Sequence, residues 1–307
     1  MHNILSTSGF TKEEIEKILS CASDMEEGVR LGKIDKVLKD KIVACIFFEP
    51  STRTRLSFEV AALKLGAKVI SAENAMENTS TYKGETIEDT IKILCSYADI
   101  VVIRHPEKGI LDKGAKVATK PLINAGDGAN QHPTQGFLDL YTIKKEHRRL
   151  SNLNIGFGGD LLNSRPLRSL LPLLSFYKGN KFYFISPKEL ELPRDFVEEL
   201  KKNNISFEEL RSLEEALPNL DVLYMTRVQK ERFLTVAEYE KVKDLFILRK
   251  EHLKDMRRDA IIMHPLPKIN EIEKEVDEDP RAAYFRQAEN GLYVRMALLA
   301  YVLGIEV

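Results

Sequence analysis

Short runs of β-branched and apolar residues alternate, along almost the whole chain, with stretches whose apolar positions recur every three or four residues. Runs at 41–49 (KIVACIFFE), 68–72, 100–104 and 121–125 form one group, and runs at 154–159 (NIGFGG), 181–186, 222–226 and 260–264 form a second. The spacing predicts helices over 54–65, 85–97 and 111–118 in the first group, and near 164–177 and 193–203 in the second. Strands alternating with helices in this way are the pattern of βαβ units and parallel sheets. The expected fold class is α/β, with two similar domains, each a parallel sheet flanked by helices. The expected boundaries are 1–133 and 151–283, joined by a helix over 134–150. The segment 284–307 is too apolar for a solvated tail and is expected to form a helix packed back on the first domain. The acidic run EIEKEVDEDP (271–280) reads as solvated surface.

Composition narrows the classes of partner. With 307 residues, 43% hydrophobic and 30% charged, the chain is ordinary globular material of two-domain length. Lys+Arg 46 against Asp+Glu 47 leaves a net charge of −1, so no global basic field is available for nucleic acid or an anionic membrane. Any anion site must be a local cluster. Cys21, Cys45 and Cys95 are odd in number and form no CxxC pair, which reads as reduced thiols. No secretory signal pattern and no run of about 18 apolar residues is present, so a soluble, cytoplasmic protein is expected. The glycines of GFGGD (156–160) miss the GxGxxG spacing at Leu161, and no GxxxxGK[ST] element occurs. Neither a cofactor nor a metal is expected.

In open α/β sheets, ligands bind beyond the carboxyl ends of the strands, and the unusual polar residues cluster there. FEPSTRTR (48–55) runs from a strand through a proline to a helix start bearing three hydroxyls and two arginines. Free N–H groups, Ser51, Thr52 and Thr54, and the planar fork of Arg53 suit a phosphate. GDGANQHPTQ (126–135) places His132 and Gln135 on one helical face, an imidazole able to polarise a carbonyl beside an amide able to accept from an NH₂ group. Arg165 opens a helix in the second half, and TRVQKERF (226–233) adds Arg227, Gln229 and Arg232 at a strand end, a set suited to a dicarboxylate. Two facing crevices would then make one site in an interdomain cleft.

STRTR (51–55), KGET (83–86), RHP (104–106), HPTQ (132–135), TRVQKER (226–232) and HPLP (264–267) stand in the order found in aspartate carbamoyltransferase catalytic subunits, within the aspartate/ornithine carbamoyltransferase superfamily. The chain resembles that family over nearly its whole length. The resemblance implies transfer of the carbamoyl group of carbamoyl phosphate to the amine of L-aspartate in pyrimidine synthesis. It implies that Ser51, Thr52, Arg53 and Thr54 hold the phosphate, and that Thr54, Arg104 and His132 contact the carbamoyl oxygen. Gln135 and the carbonyls of Pro265 and Leu266 would accept from the carbamoyl NH₂, while Arg165, Arg227 and Gln229 would hold the aspartate carboxylates. Ser80 and Lys83 match a loop that the family inserts into a neighbouring subunit's site, so a homotrimer with shared sites is implied, with regulatory chains as possible partners. Glu49 would bridge to Arg165 and Arg232 on domain closure.

The chain departs from better-known relatives at Leu162, Asn163, Lys268 and Asn270. These departures leave the reacting centre intact and bear on subunit contacts and regulation. An ornithine enzyme shares the phosphate half, but HPLP lacks the cysteine of HCLP and no DxxxSMG stretch follows. A non-catalytic homologue would be expected to lose part of the arginine set, since converging buried cations are costly without an anion.

Overall fold

The computed structural model describes residues 2–75, 84–128, 130–228, 235, 239–240 and 246–305. They fall into two compact units, one of residues 1–141, 168–173 and 289–307, the other of 142–167 and 174–288.

The first unit holds a four-stranded sheet in the order β2-β1-β3-β4, built from β1 (Ile42–Phe47), β2 (Lys68–Glu73), β3 (Ile100–His105) and β4 (Leu122–Asp127). All its pairings are parallel. β3 and β4 are buried throughout and β1 nearly so, which accounts for their unbroken apolar runs, whereas edge strand β2 is half open and carries Lys68, Ser71 and Glu73. A long helix, α1 (Lys12–Leu31), precedes the sheet and was not anticipated by the strand–helix alternation. Its start is a capping box in which Thr11 Oγ1 accepts from Glu14 N at 3.2 Å and Thr11 N donates to Glu14 at 2.8 Å. It ends at Gly32, whose φ of 67° is the left-handed geometry a helix stop favours.

The connections place α2 (Thr52–Lys64) between β1 and β2, and α3 (Ile87–Tyr97) between β2 and β3. After β3 comes the short α4 (Ile110–Ala115), and after β4 comes α5 (Pro133–His147). Because β2 and β3 lie on opposite sides of β1, the winding reverses between β1 and β3. That reversal opens a crevice at the strand ends.

The second unit repeats the scheme with five parallel strands, β7-β6-β5-β8-β9: β5 (Asn154–Gly159), β6 (Lys181–Ile185), β7 (Ser206–Leu210), β8 (Val222–Thr226) and β9 (Ile261–Met263). Here the reversal lies between β5 and β8. Helices α6 (Arg165–Leu174) and α7 (Arg194–Lys202) follow β5 and β6. The final helix is α8 (Tyr284–Val302), of which residues from 289 onward group with the first unit. Residues 168–173 of α6 also group with the first unit. Gly136 on α5 explains the approach, since a Cβ there would stand 2.6 Å from the Ser169 carbonyl oxygen.

The acidic run 271–280 keeps Lys274, Glu275 and Glu278 exposed as expected but departs from a solvated state at Glu271, 3% exposed against His264, and at Val276, fully buried in the core with Leu248, Met256 and Tyr284.

Candidate active site

Both winding reversals coincide with the polar clusters expected from the sequence. In the first unit, register pairs Phe47 with Arg104 and the Phe48 N–H donates to the Arg104 carbonyl at 2.8 Å, so the 48–55 and 104–106 segments leave adjacent strands together. Neighbouring strands are about 4.8 Å apart, which brings their loops within reach of one small ligand.

At the start of α2, Ser51 occupies the N-cap without a side-chain capping bond, and the first turn contains no acid. The first turn supplies no carboxylate of its own, and the Ser51 N–H reaches Glu73 Oε1 on β2 at 3.4 Å. Thr52 and Arg53 are exposed and Thr54 is buried. Partial desolvation and the like charge of Arg104 hold the Arg53 guanidinium below the usual arginine range. Two cations crowd the crevice from adjacent strand ends.

Arg104 is buried at 7% exposure and paired with Glu49 at 3.3 Å, and its Nη1 reaches the Ala125 carbonyl at 3.5 Å. Its Nε has no hydrogen-bond partner among the described residues. Glu49, assigned by resemblance to a bridge with Arg165 and Arg232, here lies against Arg104.

His132 immediately precedes α5 and is buried. Its backbone N–H donates to Ser169 Oγ at 2.8 Å, and its Nδ1 lies 3.3 Å from the Thr134 hydroxyl. The turn before it is organised by Asp127, which sequence reasoning missed. Its buried carboxylate accepts from Gly109 N, Asn124 Nδ2, Asn130 Nδ2 and Gln131 N at 2.8–3.1 Å. Only the G-D-G sequence at 126–128 hinted at such a turn; Gly128 there has φ 51° and close backbone neighbours. Gln135 donates through Nε2 to Asp139 Oδ1 at 2.8 Å.

In the second unit, Arg165 opens α6 and Arg227 follows β8, on either side of the β5/β8 reversal. The turn leading to Arg165 is held by fully buried Asp160, which accepts from Asn163 N at 3.0 Å and from Asn163 Nδ2. Thr226 Oγ1 donates to the carbonyls of Gly158 and Asp160 at 3.1 and 3.2 Å. Gly159, with φ 108° and a would-be Cβ 2.2 Å from the Thr226 carbonyl oxygen, is required for that approach.

Beyond β9, Leu266 has φ 53° and precedes a cis bond to Pro267. The Leu266 N–H donates to His264 Nδ1 at 2.8 Å, which leaves the ring proton on Nε2, 2.7 Å from Glu271 Oε1. Burial lowers the His264 pKa. Burial alone would raise the Glu271 carboxyl, but His264 and backbone N–H groups hold it below the ordinary range. Lys268, one of the departures, pairs with Asp277 at 3.0 Å. The loop bearing the Pro265 and Leu266 carbonyls is thus fixed from within its own unit. Ser80, Lys83, Gln229 and Arg232 lie outside the described residues. No group of three or more potential metal ligands occurs among the described residues.

Residues 2–145 match the family described as aspartate/ornithine carbamoyltransferase, carbamoyl-P binding domain, and residues 151–302 match the Asp/Orn binding domain of the same name. This chain belongs to the aspartate/ornithine carbamoyltransferase family. It is 48% identical over 304 residues to an aspartate carbamoyltransferase catalytic subunit of Clostridium novyi, covering 99% of this chain and 98% of that one. Among solved members of the family, the catalytic subunit of Methanocaldococcus jannaschii aspartate transcarbamoylase superposes with a TM-score of 0.92 at 46% identity, over 99% and 98% of the two chains. The Trypanosoma cruzi aspartate transcarbamoylase, solved in complex with carbamoyl phosphate and aspartate, gives 0.89 at 35% identity over 97% and 94%.

Proposed function

We infer that this chain transfers the carbamoyl group of carbamoyl phosphate to the amine of L-aspartate, giving N-carbamoyl-L-aspartate and phosphate, a step of pyrimidine synthesis in the cytoplasm. The observation that carries the reading is the like charge of Arg53 and Arg104 at the start of α2, whose first turn contains no acid. Glu49 meets part of the Arg104 charge, and the positive charge that remains beside the helix start favours an anion with several oxygens. In the resulting assignment Ser51, Thr52, Arg53 and Thr54 hold the phosphate, and Arg104, His132 and Thr54 stabilise the oxyanion of the tetrahedral intermediate. A Thr134 hydroxyl donating to Nδ1 would leave the His132 proton on Nε2. Gln135, Pro265 and Leu266 accept from the carbamoyl NH₂.

Aspartate is held through its carboxylates by Arg165, Arg227 and Gln229. Its amine attacks the carbamoyl carbon, the C–O bond to phosphate breaks, and the departing phosphate takes the amine proton. Carbamoyl phosphate is already activated, so positioning and charge stabilisation suffice without a protein nucleophile or a cofactor.

Ser80 and Lys83 are assigned to the site of a neighbouring copy in a homotrimer. An exposed apolar stripe on α2 supports an oligomer: Leu56, Val60 and Leu63 are 45%, 40% and 58% exposed at helical spacing, on the helix preceding edge strand β2, where Ile70 is 40% exposed. Glu49 would exchange its contact with Arg104 for Arg165 and Arg232 on closure, and regulatory chains remain possible partners.

Purified protein should form N-carbamoyl-L-aspartate and phosphate in equal amounts from carbamoyl phosphate and L-aspartate, and no citrulline from ornithine. Citrulline as the main product would reverse the substrate assignment.

A further inference from the structure

We propose that Asp139 is a positioning residue for the transferred group, its carboxylate fixing which end of the Gln135 amide faces the carbamoyl substrate. A glutamine amide presents an acceptor oxygen on one side and an NH₂ donor on the other, and a half-turn exchanges them. Gln135 and Asp139 are one turn apart on α5, and Gln135 Nε2 donates to Asp139 Oδ1 at 2.8 Å. An ionised carboxylate can only accept, so it holds the NH₂ end and leaves Oε1 directed elsewhere as an acceptor. That is the polarity required to bind a carbamoyl NH₂, and the inference rests on the assignment of Gln135 above.

The surroundings suit this task. Asp139 is fully buried, while Gln135 is only partly so, which places the fixed group inside and the working group at the rim. Arg295 on α8, itself 4% exposed, supplies opposing charge. Burial lowers its pKa to about 10, with Asp139 countering the shift, so it remains cationic at neutral pH. Its guanidinium lies 5.3 Å from the ring centroid of Phe58 on α2. A buried carboxylate beside a buried cation is costly to keep for packing alone. With Asp139 neutralised, Gln135 could turn its NH₂ toward the carbamoyl NH₂, donor against donor.

The test is a double-mutant cycle of Gln135→Ala and Asp139→Asn, read as kcat and as affinity for carbamoyl phosphate. Asn keeps the shape of Asp but offers both a donor and an acceptor. Asp139→Asn is expected to lower kcat about tenfold on its own, and by less than twofold when Gln135 is already Ala. An effect that persists in full in the Gln135→Ala background would show a merely structural role and overturn the proposal, as would an Asp139→Asn enzyme with wild-type kcat and affinity. If Asp139→Asn unfolds because Arg295 loses its counter-charge, the same cycle is run with Asp139→Asn/Arg295→Met as one arm, and the same outcomes decide. Wild-type turnover by Gln135→Ala would instead overturn the assignment of Gln135, and the proposal with it.

Discussion

Arg53 and Arg55 stand two positions apart on one helix and differ in what balances their charge. Arg55 pairs with Glu59 at 2.9 Å and with Glu73 at 3.1 Å, so its charge is met within the protein. Arg53 instead is held below the usual arginine range by partial burial and by the like charge of Arg104. Arg53→Ala is therefore expected to cut kcat by roughly 10²–10³, about 3–4 kcal/mol of transition-state stabilisation, with the urea midpoint unchanged. Steady-state rates and urea unfolding check this, and near wild-type turnover would contradict it. Histidine titration gives a second expectation. Burial lowers the pKa of His105, His147 and His264 from the ordinary 6.5. As pH falls below that value the unfolded chain binds protons that the folded chain refuses, so stability present above it is lost on the acid side. The urea midpoint should be lower at pH 5.5 than at pH 7.5, and His147→Asn should flatten the difference. A midpoint that rises on acidification would show that these rings are protonated in the fold.

At the scale of elements, the meeting of α5 and α6 turns on Gly136. Gly136→Ala should cost about 1–3 kcal/mol, measured as a lowered urea midpoint, because the added methyl meets Ser169 backbone rather than a movable side chain. It should also reduce turnover, since His132 is tied to Ser169 one turn away. A stability equal to wild type would mean the helices can separate freely. Most elements were legible because strand, turn and helix each left a mark: FEPSTRTR and HPTQ read correctly as strand ends leading into helices. α1 lies ahead of the strand–helix alternation, which begins only at residue 41, so the capping box of Thr11 and Glu14 is its one clear mark in the sequence. β7 was missed because an edge strand reading SFEEL has neither apolar continuity nor clean alternation. Glu271 and Asp139 were invisible for a different reason. Their partners His264 and Gln135 give no sign in the sequence of a buried contact, and an acid in a polar run reads as surface.

On the scale of the whole molecule, each half carries its own winding reversal and its own polar cluster, and the proposed reaction would draw on both. A trimer with shared sites predicts that Lys83→Ala and Arg53→Ala chains, each inactive, recover activity when mixed, because some sites then combine an intact Lys83 with an intact Arg53. Absence of recovery despite demonstrated exchange of chains would mean that each site is built from one chain. The central claim is a division of labour, with phosphate held by the first half and aspartate by the second. Its most direct test is to measure carbamoyl phosphate affinity and the KM for aspartate in Arg227→Ala. The account predicts an aspartate KM raised about 10- to 100-fold, the loss of one charged hydrogen-bonding partner, with carbamoyl phosphate affinity within twofold of wild type. Equal weakening of both substrates would contradict it.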